Sequence, residues 1–159
     1  MPLSFFYRYL RPLCSALLLA SFARLAAAEE RSQRANGPEC AATAESYVNE
    51  RLAVWQQRLA LADWKISVIM SRRSDLKPKT LGNIRWDADT KRATIRVLAP
   101  VEYSKKKCSE MLDDMEFTVV HELIHLELSS LPHSEASRRV EERAVNHLAD
   151  ALLKLDRNK

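Results

Sequence analysis

Histidine and cysteine are scarce in this chain, with 4 His and 3 Cys in 159 residues. The cysteines, Cys14, Cys40 and Cys108, never stand at C-x-x-C spacing, which speaks against a zinc site built on thiolates. Long hydrophobic runs are also missing, since the apolar stretch 13–22 (LCSALLLASF) is too short to span a bilayer as a helix. That stretch follows Arg8 and Arg11 and precedes Ala26-Ala27-Ala28 and Glu29, the order of a secretory signal peptide cut after Ala28. Residues 1–28 are therefore expected to leave, placing the mature protein outside the cytoplasm, secreted or periplasmic, with no stable membrane span. Arg8, Arg11 and Arg24 leave with them, so 25 Lys and Arg fall to 22 against 21 Asp and Glu, and the net charge drops from +4 to +1. The basic balance that would suggest a nucleic-acid partner disappears. Lys105-Lys106-Lys107 remains as a local run and reads as a solvated loop. Cys14 is lost as well, and the remaining pair, Cys40 and Cys108, is most simply a disulfide in an exported chain.

Against this background, residues 121–125 read H-E-L-I-H. On a helix, His121 and His125 lie one turn apart on one face, so both imidazoles can reach a single tetrahedral zinc ion. Glu122 then stands beside the metal and suits a general base acting on water. The surrounding stretch 115–128 (MEFTVVHELIHLEL) places Phe117, Val120, Ile124 and Leu128 at helical spacing, with both histidines in the same stripe. Imidazoles among apolar groups are costly unless they find a partner.

A catalytic zinc takes a third protein ligand and keeps one position open. The metzincin continuation H-E-x-x-H-x-x-G-x-x-H fails, because Leu128 and Leu131 occupy its Gly and His positions. A second helix, 140–155 (VEERAVNHLADALLKL), offers Glu141 and Glu142 in its first turns; Val140, Ala144, Val145, Leu148, Leu152 and Leu155 form its expected apolar stripe.

The H-E-L-I-H helix, a short connection and a second helix bearing E-x-x-x-N resemble the gluzincins, zinc peptidases with two His and one Glu, and most closely the minimal members called minigluzincins. The resemblance runs from about Trp64 to Leu155. It implies Glu142 as third zinc ligand and Asn146, one turn further on, as the residue orienting His121; with Glu141 as ligand, Val145 would fall at the orienting position. It also implies a peptidase whose last strand before the active helix, here Thr94 to Leu98, binds an extended peptide along its edge. Tyr103, His133 and His147 are the candidates of the type that stabilises the oxyanion in larger relatives. A cell-wall amide as substrate, and a non-catalytic exported domain with structural zinc and a protein partner, are the alternatives; the second has no use for Glu122 as a base.

The expected architecture is α+β. A polar leader over 29–39 precedes a single zincin-like domain over 40–159. That domain opens with a helix over 40–62 carrying Ala44, Tyr47, Val48, Leu52, Trp55 and Leu59 on one face. A strand over 64–70, a loop over 71–80, and a hairpin of strands 81–86 and 93–98 around Asp87-Ala88-Asp89-Thr90 follow. Ser109 is the expected cap of a helix starting near Glu110, and Ser134 or Ser137 of the last helix.

Overall fold

The computed structural model describes residues 39–103, 106–132 and 135–158. The signal peptide, most of the leader, His133 and the Ser134 cap lie outside the described residues.

Helix α1 covers residues 39–58. It buries Cys40, Ala44, Val48, Leu52 and Trp55, a spacing of four and three that turns one face inward. It ends earlier than expected because Ala60 takes a left-handed conformation, φ 56°. The Leu61 N–H bonds the Gln56 carbonyl at 2.9 Å and the Ala60 N–H bonds Gln57 at 3.2 Å, the pattern of a Schellman cap with alanine where glycine is usual. Gln56 Nε2 then donates to the carbonyls of Leu61 and Trp64 at 3.0 and 2.8 Å, steering the chain into the sheet.

Strands β1 (Lys65–Ser71), β2 (Gly82–Asp87) and β3 (Arg92–Leu98) form one mixed sheet in the order β1-β3-β2. β1 runs parallel to β3, Lys65 opposite Arg92 through Ser71 opposite Leu98, and β2 pairs antiparallel with it, Gly82 opposite Val97 through Asp87 opposite Arg92. The β2–β3 turn is held by Asp87 Oδ1, which accepts from the Asp89 and Thr90 N–H groups at 3.0 and 3.3 Å. Ala93, Ile95 and Val97 of β3 are buried and alternate with residues on the outer face.

Helix α2 (Cys108–Glu127) carries the H-E-L-I-H run, and helix α3 (Glu135–Arg157) follows a short 3-10 turn, Leu128–Ser130. The α2 N-cap is Lys107 rather than Ser109. Lysine has no acceptor, and Glu110 reaches back to take the Lys107 N–H at 3.2 Å, half of a capping box. Met115, Val119, Val120 and Leu123 of α2 are fully buried. On α3 the buried row is Val145, Ala149 and Leu153, while Val140, Leu148 and Leu155 are exposed. Of the expected stripe Val145 is buried and Leu152 packs against the core, while Ala149 and Leu153 complete the inward row that continues from Glu141.

Among the described residues the fold is α+β, three helices and a three-stranded sheet. Two devices tie its helices together. Cys40 and Cys108 form the expected disulfide, Cα atoms 6.0 Å apart, joining the first turns of α1 and α2. Between the same helices lies a polar cluster with no sequence signature. Buried Glu116 of α2 accepts hydrogen bonds from Tyr47 Oη (2.9 Å), Arg51 Nε (2.6 Å) and Trp55 Nε1 (2.8 Å). Arg51 also donates to Asp156 of α3 at 2.7 Å, and Arg58 pairs with Asp156 at 2.8 Å. Burial and the bond to Glu116 push the Tyr47 hydroxyl up to about 12. No helix among the described residues is long and apolar enough to cross a membrane.

Candidate metal centre

The two histidines of α2 project toward the start of α3, where Glu141 and Glu142 enter. His121 Nε2 and His125 Nε2 face each other at 3.1 Å, with ring centroids 4.7 Å apart and planes at 69°. Glu142 Oε2 is 3.6 Å from His121 Nε2, and Glu142 Oε1 is 3.5 Å from His125 Nε2. Two ligands of one tetrahedral zinc ion, each about 2.0–2.1 Å from it, stand about 3.3 Å apart. The three side chains thus offer two imidazole nitrogens and a carboxylate at the separations of a shared ion, and form a group able to hold one. The donor set suits zinc.

Adjacency on α3 separates the two glutamates. Glu141 Oε1 meets the other ring nitrogen of His125, Nδ1, at 3.2 Å, the position of a carboxylate that holds a metal-bound imidazole in place. Spacing alone did not assign Glu141 this work. Val145, one turn beyond Glu141, is fully buried. Asn146 stands beside His121, near enough to favour its protonated form, although burial, followed by the neighbouring His125, outweighs this and lowers the His121 pKa. The amide does not reach hydrogen-bond geometry with His121 Nδ1, which is buried without a partner. A neutral His121 keeps the lone pair that a metal needs.

Glu122 lines the same cavity, about 780 Å³, with His121, His125, Glu142 and residues of β2 and the loop before it. Glu122 is buried, 8 % exposed. Burial, helped by the Glu142 charge, pushes its pKa up to about 7, opposed by a hydrogen bond from the Ile84 backbone and by the Lys77 charge.

The Ile84 contact reveals which strand borders the centre. The Leu98 N–H donates to the Leu81 carbonyl at 2.8 Å, so alternate residues from Leu81 onward bond to β3. Gly82, Ile84 and Trp86 turn their backbone groups outward. Thr94 to Leu98 was expected to offer this edge, but β3 is paired on both sides over its whole length, and the free edge at the cavity belongs to β2. Close approach of β2 to α2 depends on Gly82, where a Cβ would collide with Thr118 Cγ2 and the Arg96 carbonyl.

Of the oxyanion candidates, Tyr103 is buried and His147 exposed, and neither lines the cavity. Lys77 and Lys79 line it instead; they sit in a stretch that, read as sequence, is an undistinguished loop. No protein-family model, curated protein or solved structure matches the chain.

Proposed function

We propose that the chain is an exported zinc peptidase of the gluzincin type, with His121, His125 and Glu142 as ligands and Glu122 as general acid and base. The observation that carries the reading is the convergence of two Nε2 atoms and one carboxylate within 3.1 to 3.6 Å, with a second, buried carboxylate left over in the same cavity. A zinc ion held there would supply a Lewis acid that polarises a carbonyl and lowers the pKa of water toward 7. Glu122 takes a proton from the attacking water and returns it to the leaving amine. Burial and its contact with the Ile84 N–H hold its carboxylate in place for that transfer. Glu141 fixes the His125 ring, and Asn146 has the position to do the same for His121 once its amide turns toward Nδ1. An extended peptide would lie along β2, using the outward backbone groups of Gly82, Ile84 and Trp86.

A purely structural zinc site, the alternative, gives Glu122 no work and has no need of an open cavity beside the ligands. The disulfide accords with an oxidising compartment. Protein and cell-wall peptides present the same amide to this chemistry. The test is cleavage of a mixed peptide library by zinc-loaded protein, read by mass spectrometry. Glu122→Gln is expected to lose at least about 10²-fold in rate while keeping its metal. Equal cleavage by wild type and this variant would sink the assignment of Glu122.

A further inference from the structure

The loop before β2 carries two cations into the cavity. Lys77-Pro78-Lys79-Thr80 is a tight turn: the Thr80 N–H and Oγ1 both donate to the Lys77 carbonyl, at 3.2 and 2.9 Å. Arg73 Nη1 ties the Thr80 carbonyl back at 2.9 Å. Lys79 occupies the third position with φ 66°, where a type II turn ordinarily has glycine. The turn is therefore fixed at both ends, and the lysine stands where turn geometry alone favours no side chain.

Two other lysines are engaged in ion pairs. Lys91 pairs with Asp63 at 3.3 Å, and Lys106 pairs with Asp114. Among the described residues Lys77 and Lys79 form no ion pair, yet both line the cavity. The Lys77 charge also acts on Glu122, where it opposes the upward shift of that carboxyl. With a divalent ion bound, the two ammonium groups and the ion together outweigh the three carboxylates Glu122, Glu141 and Glu142. Along β2 the cavity is therefore asymmetric, with cations at the Gly82 end and the part-exposed indole of Trp86 at the other.

From this placement, and resting on the peptidase reading above, we infer that Lys77 and Lys79 select substrates that present a carboxylate at the Gly82 end of β2. The carboxylate is either the C-terminal group of a peptide or an Asp or Glu side chain. Both give an acceptor that two ammonium groups on one loop attract more strongly than they attract a neutral amide.

The test uses zinc-loaded protein and a parent peptide as its free acid, as its C-terminal amide, and as a series of amides each with one Asn replaced by Asp. Cleavage is measured for wild type, and binding by calorimetry on Glu122→Gln, so that recognition is read without turnover. Wild type is expected to prefer a carboxylate-bearing peptide about tenfold, with the preference shrinking as salt is raised. In Lys77→Gln/Lys79→Gly the ratio of acid to amide should fall toward one. Glycine at 79 keeps the turn, so a misfolded loop is not the cause of such a loss, and a lysine acting only through Glu122 would change both peptides alike and leave the ratio intact. Preference for the free acid assigns the C-terminal group, and preference for Asp assigns a side chain. Equal binding and cleavage of acid and amide by wild type would overturn the inference while leaving the peptidase reading in place. Absence of any cleavage, with carboxylate-selective binding retained, would overturn the peptidase reading alone.

Discussion

Glu141 and Glu142 are neighbours of one chemical type, and a step of about 100° around α3 gives them different partners. Glu142 meets the two Nε2 atoms, and Glu141 meets His125 Nδ1. In the sequence the pair was legible as a source of one ligand, because H-E-L-I-H leaves a third position to fill. The double role was not legible, since it depends on the angle at which α3 crosses α2. Gly82 carries a similar hidden constraint, having no motif around it and no room for a Cβ. Because one obstacle is the Arg96 backbone carbonyl, Gly82→Ala must shift β2 as a whole. Overpacking of this kind costs about 1–3 kcal/mol, and it draws the Ile84 N–H away from Glu122. Denaturant unfolding should register the loss, and peptide cleavage should fall further than stability does. An unchanged unfolding midpoint would mean that the strand has slack the packing does not suggest.

Among the described residues, periodicity located the three α-helices and three strands, although α3 begins at Glu135, ahead of the expected residue 140, and the H-E-L-I-H stripe correctly placed Val120 and Ile124 inside. It failed where two apolar rows share one helix. On α3 the expected stripe joined Val145 and Leu152, which pack inward, to Val140, Leu148 and Leu155, which do not, and left out Ala149 and Leu153; ion pairs at the far end help to fix which row packs. Asp156 is held there by Arg58 and Arg51, and these partners, led by the Arg58 hydrogen bond, pull its carboxyl from the ordinary 3.8 to about 2. The folded-state value lies below the unfolded one, so the charged carboxylate favours the fold above about pH 4. That contribution is lost as pH falls through about 2. Thermal unfolding followed from pH 5 to pH 2 should therefore decline less steeply in Asp156→Asn than in wild type, and parallel curves would remove Asp156 from the α1–α3 attachment. Strand order was the other failure: hairpin signals identify β2 and β3 as neighbours, but not that β1 adds to the far side of β3 and leaves β2 as the edge.

For the molecule as a whole, the disulfide and the Glu116 cluster do the joining that a small core leaves incomplete. The cysteine pair was legible by elimination, and the cluster was not, because Glu116 lies more than sixty residues of chain from Tyr47, Arg51 and Trp55. Closing a span of 68 residues contributes roughly 4 kcal/mol in the chain-entropy picture. Cys40→Ser/Cys108→Ser should lower stability by a large part of that amount in denaturant titration, and a change below about 0.5 kcal/mol would show that reduced, unfolded chains keep these helices together. The Glu116 cluster also reaches α3 through Arg51 and Asp156, the helix whose second turn meets the two histidines. The most direct test is the metal content of dialysed protein by elemental mass spectrometry, for wild type, Glu142→Gln and Glu141→Gln. The expectation is about one zinc per chain in wild type, none in Glu142→Gln, and zinc retained with about 10- to 100-fold weaker affinity in Glu141→Gln. Wild-type protein that holds no zinc even after reconstitution would contradict it, and would leave H-E-L-I-H as a partly buried helix with no metal to hold.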